Sequence, residues 1–97
     1  MVRLNWTERA KEDVKNIAAY ISKDSIYYAE KQVDKIYEST QILFEFPSIG
    51  RPVPEYGMAN LRQILVGKYR IIYLLVSEER IDVLTVHHSA RILNLET

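Results

Sequence analysis

Residues 60–76 read Asn60-Leu61-Arg62-Gln63-Ile64-Leu65-Val66-Gly67-Lys68-Tyr69-Arg70-Ile71-Ile72-Tyr73-Leu74-Leu75-Val76, and this stretch decides the fold. Two runs rich in Ile, Leu, Val and Tyr flank Gly67-Lys68, and such residues suit a pleated, half-buried surface. The pair between them suits a tight hairpin turn. In that register Val66 faces Tyr69, Leu65 faces Arg70 and Arg62 faces Tyr73. On the second run Tyr69, Ile71, Tyr73 and Leu75 share one face, while Arg70, Ile72, Leu74 and Val76 share the other. Both faces are largely apolar. A sheet covered on one side only shows clean alternation, and this one does not. Something must therefore cover the second face. Little chain is left for the tail to do so, which points to a protein partner. The alternative is a strongly curled sheet whose own loops close both faces.

Downstream, Ser77-Glu78-Glu79-Arg80 reads as a turn and Ile81–His87 as a third strand, completing an antiparallel meander. Upstream, 47–60 is punctuated by Pro47, Gly50, Pro52, Pro54 and Gly57 and reads as an irregular loop. Two helices precede it. The first follows a short strand, Val2 to Trp6, and an N-cap at Thr7; its apolar stripe is Ala10, Val14, Ile17, Ala18 and Ile21. Arg9, Glu12, Asp13, Lys15 and Asn16 fill its other side. The second is capped by Ser25, carries Ala29, Val33, Ile36 and Leu43, and is expected to run until Pro47 stops it. Joined by a short loop, the two make an antiparallel hairpin. The expected fold is α+β over a single domain, 1–97: an N-terminal strand and a helical hairpin packed on a curled antiparallel sheet.

Composition narrows the chemistry. There is no cysteine among the 97 residues, which excludes disulfides, thiolate metal sites and cysteine nucleophiles. The longest apolar run, 71–76, is far short of the roughly 20 residues of a membrane span. Charge follows the first residues at once, unlike a signal peptide, so a cytoplasmic protein is expected. Thirteen basic residues balance thirteen acidic ones, which is a poor footprint for a polyanion binder. Locally, 47–77 holds Arg51, Arg62, Lys68 and Arg70 against Glu55 alone. No glycine-rich phosphate loop and no zinc spacing is present, so no metal and no cofactor is expected. His87 and His88 are adjacent on a strand and point to opposite faces. Arginine forks phosphate and histidine moves protons near neutral pH, so Arg62, Arg70, Arg91 and the histidines would suit phosphodiester cleavage. Arg70 would serve equally as a structural cation paired with Glu55 or Asp82. Trp6, Tyr69 and Tyr73 read as packed aromatics.

The series Trp6-Thr7-x-x-Ala10, Ile17-Ala18-x-Tyr20-Ile21, Pro47-x-x-Gly50-Arg51, Leu61-Arg62, Tyr69-Arg70-Ile71-Ile72-Tyr73 and Val83-Leu84-x-Val86-x-His88-x-x-Arg91 resembles the RelE/ParE superfamily of type II toxin–antitoxin toxins. It looks closer to the ParE, plasmid-stabilisation branch. The resemblance implies the fold just described and a cognate antitoxin whose C-terminal segment wraps the toxin, in a complex that can grow into a larger heteromer. It implies a target, DNA gyrase for ParE-like members or the ribosome for RelE-like members, which cleave mRNA there. Arg62, Arg70, His88 and Arg91 match the nuclease positions and would be catalytic in that branch only. Arg51, Lys68, Tyr73, Leu74 and His87 are the expected antitoxin- or target-binding residues. The neutral charge, and a tail 92–97 without Tyr, Lys or Arg, favour the gyrase branch. A remnant that has lost toxicity is a third reading.

Overall fold

A computed structural model describes residues 2–95. The chain runs β1 (Arg3–Trp6), α1 (Glu8–Ser22), α2 (Ile26–Ser39), a short 3-10 helix (Gln41–Phe44), β2 (Arg51–Pro52), β3 (Leu61–Val66), β4 (Tyr69–Ser77) and β5 (Arg80–His88). The strands form one sheet in the order β1-β5-β4-β3-β2.

The hairpin forms in the register expected from sequence: Val66 pairs with Tyr69, Leu65 with Arg70 and Arg62 with Tyr73. Gly67 sits at φ 57°, while among the described residues no non-glycine residue has positive φ. That combination is a type II′ turn, whose twist matches the strands it joins. β4 and β5 continue the antiparallel meander, with a register shift that leaves Leu84 bulged between the pairs Ile72–Thr85 and Tyr73–Val83. A bulge increases local twist and helps the sheet curl. β1 pairs parallel to β5, Leu4 beside Ile81 and Trp6 beside Val83, so the sheet is mixed at this edge.

Both helices start where the caps predict. The Thr7 hydroxyl accepts from the Ala10 N–H at 3.2 Å, and that of Ser25 accepts from the Tyr28 N–H at 3.1 Å. Thr7 also donates to the Val83 carbonyl, tying the start of α1 to β5. The second helix ends earlier than expected, at Ser39. The Ser39 and Thr40 hydroxyls donate back to the carbonyls of Ile36 and Tyr37, and the backbone tightens into the 3-10 turn through Phe44. Pro47 thus follows a helix already finished. The loop beyond it holds a two-residue strand, β2, that sequence did not signal; Arg51 pairs with Gln63 and Pro52 with Arg62. Proline is tolerated there because β2 lies at the sheet edge.

Ala10 and Val14 of α1 and Ile36 of α2 pack on Ile71, Val83 and Val86, forming the main core. Trp6 packs beside it, its ring 4.5 Å from that of Tyr37. The second sheet face is covered too, and of the two readings open from sequence the structure shows the one in which the chain itself closes it. Val53 from the 47–60 loop and Leu93 from the tail bury Ile72 and Leu61. The tail is held there by a hydrogen bond from the Arg9 guanidinium to the Asn94 carbonyl, and by one from the Leu95 N–H to the Tyr56 hydroxyl. One loop and the tail through Leu95 thus close the far side of a strand with two apolar faces.

Candidate functional site

Three expected site residues turn out to build the frame. Tyr73 is fully buried. Its hydroxyl donates to the Pro47 carbonyl and accepts from the Gly50 N–H, each at 2.9 Å. Burial pushes its pKa up, opposed by the Gly50 hydrogen bond. Expected among the binding residues, Tyr73 instead has no surface to offer a partner, and its action is on the loop. Arg62 reinforces it. Its guanidinium donates to the carbonyls of Ser48, Gly50 and Ala59 at 3.2, 2.8 and 3.0 Å.

Arg70 takes the structural option. It is 7% exposed and makes a bidentate fork to Glu55, at 2.7 and 2.9 Å, plus a third bond to Gln63 at 2.8 Å. Those hydrogen bonds hold the Glu55 carboxyl below its ordinary range, against a smaller opposing effect of burial. Asp82 is engaged elsewhere, by Arg80 and Asn5. Leu74 is half-buried against the far-side cluster, and Arg51 is exposed on β2.

The remaining expected residues do converge. Lys68, His87, His88 and Arg91 line a groove of about 730 Å³ together with Tyr69, Val86 and a row from α1. That row is Asp13, Asn16, Ile17 and Tyr20, at spacings of three, one and three, which place it on one helix face. His88 sits edge-on to Tyr69 with ring centroids 5.5 Å apart, and its Nδ1 accepts from the Ala90 N–H. The Nε2 of His87 lies 2.9 Å from the Arg91 carbonyl, which it meets as a donor. The Ser89 N–H bonds to the Lys68 carbonyl, so the chain after β5 folds back on the β3–β4 turn.

Asp13 was read from sequence only as part of the polar side of α1. It accepts from the Thr85 hydroxyl and from the Val86 N–H at 3.1 Å, bolting α1 to β5 under the groove. No sequence spacing marks that bond, since its partners lie 72 and 73 residues away. Nor does spacing reveal the demand for glycine at position 50. A Cβ there would lie 2.6 Å from both the Gln63 carbonyl oxygen and the Tyr73 hydroxyl.

The expected cleavage set is thus divided. His88 and Arg91 share the groove, while Arg62 and Arg70 are spent on loop carbonyls and on Glu55. Among the described residues no three His, Cys, Asp or Glu side chains gather in a way that would hold a metal, and no helix is long and apolar enough to cross a membrane.

Comparison with known proteins agrees with this architecture. The chain is similar to a solved chain from a structure titled as the chromosomal ParDE TA system of P. aeruginosa, with a TM-score of 0.74 and 22% identity, covering 91% of this chain and 96% of that one. The protein Y4kP of Sinorhizobium fredii is 30% identical over 87 residues, 90% of this chain and 88% of its own length. Toxin RelE2 of Caulobacter vibrioides is 27% identical over 92 residues, covering 95% of this chain and all of the relative. The family described as ParE toxin of type II toxin–antitoxin system, parDE, matches residues 4–93. With that match running from within β1 through both helices and the other four strands, the chain belongs to the ParE family of type II toxin–antitoxin toxins.

Proposed function

We propose that this toxin arrests growth by binding DNA gyrase, without hydrolysis of its own, and that a cognate antitoxin neutralises it. The observation that supports a binding toxin over a nuclease is the engagement of Arg70 and Arg62. An RNA-cleaving site needs cations free to follow charge that develops on phosphate. Here one guanidinium is closed on Glu55 and the other on three carbonyls. A formal net charge of zero adds to the argument, because affinity for a phosphate backbone grows with the number of phosphates neutralised.

The test is expression from a tight promoter, with the DNA-damage response and mRNA cleavage followed in the same culture. A damage response without codon-phased cuts, together with inhibition of supercoiling by the purified protein, is the expected result. Codon-phased cuts without DNA damage would overturn it. One observation favours that second reading: His88 and Arg91 line a single groove, a proton carrier beside a cation.

A further inference from the structure

A second groove, of about 320 Å³, runs between α1 and α2 on the exposed side of the helical hairpin. Ala18, Ala19 and Ser22 form its α1 wall, and Ile26, Ala29 and Val33 its α2 wall. Ile26 stands 69% exposed at the loop end, an apolar knob beside a shallow apolar gap. The two walls carry opposite charge. Lys15 continues the α1 row, since positions 15, 18, 19 and 22 share one helix face. Glu30 and Asp34 edge the α2 wall. All three are exposed, and among the described residues none of them has a hydrogen bond or an ion pair. The neighbouring cations are engaged elsewhere. Lys11 is paired with Glu8, Lys31 lies over the Tyr27 ring at 5.4 Å, and Lys23 lies over the Tyr20 ring at 5.8 Å.

We infer that this face pairs with a second copy of the same chain, related by a two-fold axis that runs along the hairpin. Such an axis lays α1 of one copy on α2 of the other. Lys15 is as far from Ser22 as Val33 is from Ile26, so Lys15 stands level with Val33 and Asp34. Lys15 of each copy therefore meets Glu30 and Asp34 of the other, the reciprocity that an isologous contact requires. Ile26 of each copy enters the gap beside Ala18, Ala19 and Ser22 of the other. Helices laid this way run antiparallel, so their dipoles also attract. The other two-fold arrangement, α1 on α1, sets lysine on lysine and acid on acid, and is repulsive. An acidic or a basic partner of another kind would meet like charge on one of the walls. A second copy meets it on neither, and a net charge of zero removes the general repulsion between copies. The area is adequate. Helices of 15 and 14 residues present a face about 20 Å long and about 20 Å wide. Two such faces cover on the order of 800 Å² in projection, and with the relief of the side chains they reach the roughly 1,000 Å² of a specific interface. The pairing is thus reversible and micromolar, and it does not depend on what the toxin attacks.

Sedimentation equilibrium of the purified full-length protein, over a micromolar concentration series, tests it. The parent should show a monomer–dimer equilibrium that weakens with added salt. Lys15→Glu should raise the dissociation constant about tenfold, and so should the double variant Glu30→Lys/Asp34→Lys. Mixed in equal amounts, the two should regain the affinity of the parent, because each supplies the charge that the other lacks. Lys35→Glu, on the far side of α2, should change nothing. All of these side chains are exposed, and unchanged thermal unfolding of each variant separates lost pairing from lost fold. A parent that stays monomeric throughout would overturn the inference. So would a dimer that the charge variants leave intact, or one that mixing fails to restore. A monomeric parent whose charge variants no longer bind the antitoxin would overturn it too, and would give the face to that partner.

Discussion

The Tyr73 hydroxyl lies at hydrogen-bond distance from the Gly50 N–H, and the space between them is too small for a methyl group. A residue on a central strand thereby fixes the path of a loop more than twenty positions earlier in the chain. Tyr73→Phe keeps the ring but strands a buried N–H and a carbonyl that sequence neighbours cannot satisfy. A loss of about 2 kcal/mol is expected, the cost of leaving buried polar groups unpaired. Urea unfolding of the two proteins measures it.

Gly50→Ala should be worse than Tyr73→Phe. The added carbon meets a backbone oxygen as well as the tyrosine, and a backbone oxygen has no rotamer to retreat into. Removing the hydroxyl relieves only part of the clash. The double variant should therefore lose less than the sum of the two singles. A double-mutant cycle reads this coupling, and full additivity would mean that the two residues do not act on each other.

Arg70→Ala removes three hydrogen bonds and leaves Gln63 and Glu55 facing an emptied site. Loss of roughly 3 kcal/mol is expected, near the lower end for breaking a buried pair. Glu55→Gln should cost about 1 kcal/mol or less, since its carboxylate is partly solvated and screened. Growth inhibition, normalised to the amount of folded protein, should not fall in either variant. A catalytic arginine would behave otherwise, losing activity at full folded yield.

Acid should loosen the same joint. The Glu55 carboxyl is held below its ordinary range by Arg70, so its ionised form is favoured in the folded chain. Its contribution is complete above the unfolded value, about 4.3. It disappears as pH falls through the lower folded value. Asp82, lowered by its hydrogen bond from Arg80, follows the same sign. A melting series from pH 6 to pH 2 should show stability falling in the acid range, with a shallower fall in Glu55→Gln. At the other extreme the raised pKa of Tyr73 keeps its hydroxyl protonated, and stability should fall as pH rises beyond about 10.

Asp13→Ala should release α1 from β5. Thr85, which is almost fully buried, would lose the acceptor for its hydroxyl and the Val86 N–H would lose its own. A cost of about 2 kcal/mol is expected. Hydrogen exchange should quicken at Val86 before it does at Ile71, whose partners lie within the sheet.

Much of this architecture was legible because it is local. The β3–β4 register followed from the turn at Gly67-Lys68, and the starts of both helices from Thr7 and Ser25. The end of α2 was missed because Ser39 and Thr40 bend their hydroxyls back onto the helix, and a stripe reaching Leu43 reads the same through α-helix or 3-10 turn. Closure of the far face by the chain's own loops was one of two open readings; which segments close it was not legible, because Val53 and Leu93 come from segments with no periodicity of their own. The candidate site divides along the same line. Sequence put His87 and His88 on opposite strand faces and grouped them with Arg62, Arg70 and Arg91; that both line one groove with Lys68 and Arg91 follows from the end of β5 folding back on the β3–β4 turn. The Tyr73–Gly50 and Asp13–Thr85 contacts are single points of closure between distant segments, and nothing in the spacing announces them.

The parallel pairing of β1 with β5 has a consequence for how this domain folds. Among the described strands β1 pairs with β5 alone, joining segments far apart in the chain. The helical hairpin rests on local contacts, yet the surface on which it packs is assembled from β4 and β5. Non-local pairing of this kind must wait for distant segments to meet and slows folding. The helices therefore have their local structure before they have the floor that they rest on.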